Sequence, residues 1–216
     1  EIVAISRFMQ GTARLKKSFK NLEEVYPSLD DLFESLDFDE SVLEYLKNSF
    51  GEDEVLDRAS SELREVRRAI KRVEKAIDEE SQKFLKTHAH MLSEQVISYQ
   101  NGRRTFLMKP SDKNKIPGIV YGESASGQSV YFEPQFLSNM HNELHGLKIR
   151  EEEEVARICM EASLKIGRES PQLLANLETL TLLDVIFAKA HWGVRREATV
   201  PTIHPDGFYL ENARHP

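Results

Sequence analysis

The stretch that decides the fold is Leu56-Asp57-Arg58-Ala59-Ser60-Ser61-Glu62-Leu63-Arg64-Glu65-Val66-Arg67-Arg68-Ala69-Ile70-Lys71-Arg72-Val73-Glu74-Lys75-Ala76-Ile77. Its apolar members Leu56, Ala59, Leu63, Val66, Ile70, Val73 and Ile77 alternate steps of three and four, a seven-residue repeat held for three heptads. No Gly or Pro follows Gly51 until Gly102. The spacing therefore predicts one helix of about 45 residues, roughly 65 Å at 1.5 Å per residue. Such a helix needs a partner with a matching stripe, and Leu137, Met140, Leu144, Leu147, Val155, Ile158 and Ala162 supply one on a second helix reaching about Arg168. Gly146 and the acidic run Glu151-Glu152-Glu153-Glu154 interrupt that stripe, so part of the second helix is expected to be exposed.

Between the two arms the pattern changes. Residues 102–109, 118–121 and 129–132 read as three short strands, separated by the loop 110–117 and the turn Ser124-Ala125-Ser126-Gly127-Gln128. Before them, residues 1–50 read as short helices, with Tyr26-Pro27-Ser28 as a break, Ser28 or Asp30 as one cap and Asp39 as another. After Ser170-Pro171 the apolar positions Leu173, Leu174, Leu177, Leu180, Leu183, Ile186, Phe187 and Ala190 predict a further, buried helix, interrupted by Asp184 and closed by Trp192-Gly193. Phe208-Tyr209-Leu210 reads as a strand. The chain ends at Arg214-His215-Pro216 with neither a cap nor a polar tail, so it is expected to continue in a longer protein.

The charge is uneven. Residues 22–57 carry 13 acidic side chains against Lys47 alone. Residues 58–75 hold Arg58, Arg64, Arg67, Arg68, Lys71, Arg72 and Lys75 against three glutamates. A second basic stretch, 101–120, holds Arg103, Arg104, Lys109, Lys113 and Lys115 against Asp112. The net charge of -7 argues against a protein that coats nucleic acid indiscriminately, but either basic stretch can meet phosphates or serve as a solvated face. No run of about 18 apolar residues occurs, so no membrane partner is expected and a cytoplasmic location is. Cys159, the single cysteine, sits beside Ile158 and Met160 and is expected to be a buried packing thiol.

Motifs for chemistry are weak. Gly122-Glu123-Ser124-Ala125-Ser126-Gly127-Gln128-Ser129 has two glycines five apart, but Gln128 stands where a phosphate-binding loop needs Lys, and a strand follows instead of a helix. His141 and His145 share a helical face, yet Glu143 is misplaced by one residue for a His-Glu-x-x-His zinc site and no third ligand is evident. No catalytic residue, cofactor site or metal site is assigned to this chain.

Two stretches carry a resemblance. Gly51-Glu52-Asp53-Glu54-Val55-Leu56-Asp57-Arg58-Ala59-Ser60-Ser61-Glu62-Leu63-Arg64 resembles the start of the lever helix in the MutS-II branch of the MutS family. Ile116-Pro117-Gly118-Ile119-Val120-Tyr121-Gly122-Glu123-Ser124-Ala125-Ser126-Gly127-Gln128-Ser129-Val130-Tyr131-Phe132-Glu133-Pro134 resembles that branch's signature more closely, and residues 139–144 continue it. The terminal Glu211-Asn212-Ala213-Arg214-His215-Pro216 is similar to the segment leading into the family's ATPase domain.

The resemblance implies a homodimeric parent ATPase that uses ATP and Mg, possesses nuclease activity in some forms, binds branched or mismatched DNA, suppresses recombination and in some members rescues ribosomes. The fold expected is mainly α, an elongated helical bundle with two long antiparallel lever helices and a small antiparallel β insertion. Its parts would be short core helices at 1–50, one lever at 51–100, the β element at 101–134, the returning lever at 135–168, and a core helix with a connection toward an ATPase domain at 169–216. The chain itself would be a non-catalytic core and lever coupling ATPase state to nucleic-acid binding; the alternative is a coiled-coil scaffold presenting the β element to a protein partner. Arg103, Arg104, Lys109, Lys113 and Lys115 are the candidate phosphate contacts.

Overall fold

A computed structural model describes residues 1–22, 26–202, 205, 207 and 209. The chain is mostly helical with one four-stranded antiparallel sheet. It divides into two compact units, Lys47–Ala162 and the combination of Glu1–Leu46 with Ser163–Pro216. The helices are α1 (Ile2–Lys20), α2 (Pro27–Ser35), α3 (Glu40–Ser49), α4 (Ser61–Thr87) and α5 (Gln135–Arg196), and the strands are β1 (Leu92–Gln100), β2 (Arg103–Met108), β3 (Gly118–Glu123) and β4 (Val130–Pro134).

In the unit Lys47–Ala162, α4 opens with Ser60, whose hydroxyl accepts from the Leu63 N–H at 2.9 Å and satisfies one of the free amides of the first turn. The apolar repeat then buries Leu63, Val66, Ile70, Ile77 and Phe84. Ser81 occupies a core position between them and is accommodated because its hydroxyl bonds the Ile77 carbonyl at 2.6 Å.

The helix expected over 51–100 is therefore 61–87. Its start is later because residues 49–56 fold into a tight turn, in which Phe50 and Val55 form a β-bridge and the Leu56 N–H reaches the Ser49 carbonyl at 2.8 Å. It ends earlier because Val96, Ile97 and Tyr99, β-branched and aromatic, belong to strand β1. Asn101 and Gly102, both at positive φ (52° and 75°), turn β1 back into β2. The sheet thus has four strands, in the order β1-β2-β4-β3, where sequence reasoning expects three.

The sheet closes on α4 and on the start of α5. Phe106, Met108, Val130 and Phe132 pack with Ile77, Phe84, Leu92 and Leu137 in one core, while Val55, Leu63 and Ile158 form a second. Cys159 lines the second core half-buried, more open than expected. Polar contacts between α4 and α5 run in reverse order: Ser60 to Glu154, Arg67 to Glu151, and Glu74 to Lys148.

In the other unit, Phe33, Leu36 and Leu183 form the core, with Phe19 stacked on Phe33 at 3.7 Å. Pro27 is the first residue of α2, a position that needs no N–H, so the helix starts before the expected caps Ser28 and Asp30. Asp39 does cap α3, accepting from the Ser41 N–H at 2.7 Å. Asn176 is buried and makes reciprocal bonds to Asp37, giving its amide to the carbonyl at 2.7 Å and accepting the N–H at 3.2 Å.

Three expectations for the C-terminal helix are corrected. Pro171 lies inside α5 and does not end it. A proline in a helix interior costs about 3 kcal/mol. The expected buried face is largely open: Leu174, Leu177 and Phe187 are exposed, as is Asp184. The helix also passes Trp192-Gly193 to reach Arg196. The strand expected at 208–210 lies outside the described residues except for Tyr209.

Candidate nucleic-acid interface

Arg103 and Arg104 are consecutive on β2 and leave the strand in different directions, as alternation requires. Arg103 points to the start of α5, where it donates to Asn142 Oδ1 and to Ser138 Oγ at 3.4 Å and faces Glu133 Oε2 at 3.5 Å. Arg104 pairs with Asp78 on α4. Lys109 gives its ammonium to the His90 carbonyl at 2.8 Å, and Lys115 closes on Asp112 at 2.5 Å. Lys113 is exposed and has no ion pair among the described residues. The five candidate cations are thus not gathered into one unengaged patch. Two arginines tie the sheet to the helices flanking it, and two lysines brace the ends of their loop.

What Arg103 reaches is a buried polar cluster. Glu133, fully buried at the end of β4, accepts from the Tyr121 hydroxyl at 2.6 Å and from His141 Nδ1 at 2.6 Å. The Arg104 N–H approaches His141 Nε2 at 3.5 Å, so the geometry assigns the imidazole proton to Nδ1. Burial, and then the bond to Glu133, push the Tyr121 phenol above its ordinary range. Tyr121, Glu133 and His141 join β3, β4 and α5 in this cluster, and Arg103 brings β2 to it. Because His141 spends a ring nitrogen on Glu133, the His141–His145 pair is not presented as two free ligands.

Gly118 occupies a position that admits no side chain. A Cβ there would lie 2.3 Å from Phe132 Cζ and 2.4 Å from the Glu133 carbonyl oxygen. The stretch 122–129 is a hairpin turn: Gly127 N–H bonds the Ser124 carbonyl at 2.8 Å, and Ser124 N–H bonds the Ser129 carbonyl at 2.8 Å. With Gln128 after the second glycine and β4 after the turn, these residues do not fit the phosphates of ATP.

Electrostatics along α4 differ from those of the sheet. Arg67, mostly buried, donates to Asp57 and Glu151, both at 2.7 Å, and to the Val55 carbonyl at 2.7 Å. The bond from Arg67 holds the Asp57 carboxyl below its ordinary range. Glu154, buried opposite the start of α4, is pulled to a pKa of about 2 by Arg157, with help from the Ser60 hydroxyl against burial. By contrast Arg64, Arg68, Lys71 and Arg72 are exposed and form no ion pair among the described residues. The sequence signal for this surface is the 58–75 basic stretch; which of its members are engaged depends on partners distant in sequence.

Among the described residues no helix is long and apolar enough to cross a membrane. No family model matches the chain. Proteins named endonuclease MutS2 do match it: that of Thermotoga maritima is 32% identical over 218 residues and that of Clostridioides difficile 30% over 222 residues, each alignment covering the whole chain and 28% of the relative. That of Bacillus cytotoxicus is 36% identical over 166 residues, covering 76% of this chain and 21% of the relative. These similarities support a relationship to the MutS family. The chain spans little more than a quarter of the length of the relatives aligned over all of it.

Proposed function

We propose that the chain is the core and lever part of a MutS-type, nucleic-acid-binding ATPase of the MutS-II branch, itself without catalytic residues. The observation that carries this reading is the whole-chain similarity to proteins named endonuclease MutS2. It is supported by the α4–α5 pairing, whose two helices clasp the sheet through Ile77, Phe84 and Leu137. A paired helical arm turns a small rotation at its base into a larger displacement at its tip. In the parent, ATP and Mg would bind outside this chain, and the arms would report nucleotide state to a surface holding branched or mismatched DNA. Homodimerisation, a cytoplasmic location, nuclease activity, suppression of recombination and ribosome rescue belong to the same proposal for the parent.

Hydrogen exchange on the full-length parent tests it. Adding Mg-ATP should change amide protection in 61–87 and 135–162, although no phosphate loop is present there. Identical exchange in both segments with and without nucleotide would sink the coupling.

The scaffold reading rests on a different observation. Val96 and Tyr99 on β1, and Ile119 and Val120 on β3, are exposed, and both strands are sheet edges. Capture of a protein segment along either edge, without nucleic-acid affinity, is the outcome that would favour it.

A further inference from the structure

We infer that the outward face of α4, formed by Arg64, Arg68, Lys71 and Lys75 with Arg72 at its edge, is a binding surface for the phosphodiester backbone of a nucleic-acid duplex. The inference rests on the nucleic-acid reading above but places the contact on the helix instead of the β element. At 100° per residue, positions 64, 68, 71 and 75 fall within a sector of about 60°. All four side chains are exposed.

The sign of this face results from how the acidic residues of α4 are used. Glu62 pairs with Arg150 at 3.3 Å, Glu74 with Lys148 at 3.4 Å, and Asp78 with Arg104, so three of its carboxylates are met by cations from other elements. Asp57, ahead of the helix, is held by Arg67. Asp78, which lies at the edge of the cation sector, is neutralised by Arg104 in this way, whereas Arg64, Arg68 and Lys71 form no ion pair among the described residues. Of the face's cations, among the described residues only Lys75 has an ion pair, to Glu79 at 3.5 Å with both side chains mostly in solvent, and Glu65 lies on the flank beyond Arg72. An exposed pair of that kind yields readily to a phosphate.

The dimensions suit a duplex. Arg64 to Lys75 covers about 16 Å of helix axis, the rise of about five phosphates along one strand. Arginine supplies a planar fork to phosphate oxygens, and two of the four members are arginine. The β-element cations, by comparison, are mostly engaged within the fold through Glu133, Asn142, Asp78, Asp112 and the His90 carbonyl.

The test is fluorescence anisotropy of the 216-residue chain with labelled DNA and RNA duplexes of two helical turns. Between about 50 and 200 mM salt, four phosphate contacts give a log-log slope of about -3.6 on DNA. Arg68→Ala with Lys71→Ala should reduce that slope by about 1.8 and weaken binding roughly tenfold or more at low salt. Arg68→Lys with Lys71→Arg, which keeps both charges, should retain binding. The two duplexes distinguish DNA from RNA as the source of the backbone.

Unchanged affinity in the alanine pair, with loss in Lys113→Ala plus Lys115→Ala, would overturn the α4 surface while leaving the nucleic-acid reading intact. No binding of either duplex or of branched DNA at low salt would overturn both. Poly-glutamate displacing the duplex at equal charge concentration would identify an acidic protein as the partner and overturn the inference. Circular dichroism melts of the variants should match the parent chain, since every altered side chain is exposed.

Discussion

Glu133→Gln removes one charge from the centre of the buried cluster while keeping the shape of the side chain. Glu133 accepts from Tyr121 and His141, both at 2.6 Å, and faces Arg103 at 3.5 Å. A glutamine offers one carbonyl oxygen in place of two carboxylate oxygens, and its amide cannot accept. One of the two short donors is therefore orphaned, at about 1–3 kcal/mol, and Arg103 loses its counter-charge, for a total of about 2–4 kcal/mol. For a unit of this size that is a fall in Tm of about 8–16 °C. Thermal and urea melts of the single variant measure it. Adding Tyr121→Phe leaves His141 as the single short donor for the glutamine oxygen, so the double variant should lose about 1–2 kcal/mol less than the sum of the two single losses. A loss below about 0.5 kcal/mol for Glu133→Gln, or strict additivity with Tyr121→Phe, would refute the cluster as the link between sheet and helix.

Gly118→Ala should cost about 1–3 kcal/mol in the same melts, because the Glu133 backbone that its Cβ would meet cannot swing aside; an unchanged Tm would contradict the close approach. Glu154 has its folded pKa depressed from 4.5 to about 2, so its contribution is fully present above about pH 4.5 and is lost as pH falls toward 2. That contribution is at most about 3 kcal/mol and smaller in practice, since its partner Arg157 is largely in solvent. Glu154→Gln should flatten the acid side of the stability profile, and an identical profile would show the ion pair to be inconsequential. Calorimetric titration of the chain with Mg-ATP should show no stoichiometric binding, because the 122–129 turn offers neither the lysine nor the helix N-terminus that phosphates require; a micromolar site would contradict this.

The heptad from Leu63 to Ile77 is legible because apolar periodicity and burial coincide at four of its five members, Leu63, Val66, Ile70 and Ile77, with Val73 half-buried. The strand at 92–100 is not, since absence of Gly and Pro permits a helix without requiring one. The signal that marks it is Asn101-Gly102, whose positive φ angles close a hairpin. The identity of the candidate cations was readable from the sequence, but their availability was not. Arg103 and Glu133 are neighbours only because β2 pairs with β4, and Arg104 meets Asp78 only because α4 packs on the sheet. The convergence of Tyr121 and His141 on the Glu133 carboxylate is likewise a product of tertiary packing. The C-terminal apolar spacing misled in the other direction: Leu174, Leu177 and Phe187 repeat as a buried face would, and stand exposed.

The central claim, that the α4–α5 arms couple nucleotide state to nucleic-acid binding, is tested most directly by the affinity of the full-length parent for branched DNA with and without Mg-ATP. Ile70→Asp places a charge in the buried stripe of α4, at a cost of a few kcal/mol. The intact protein should change its DNA affinity on adding nucleotide, and the variant should keep nucleotide binding while losing that change. An equal nucleotide response in both proteins would contradict the claim.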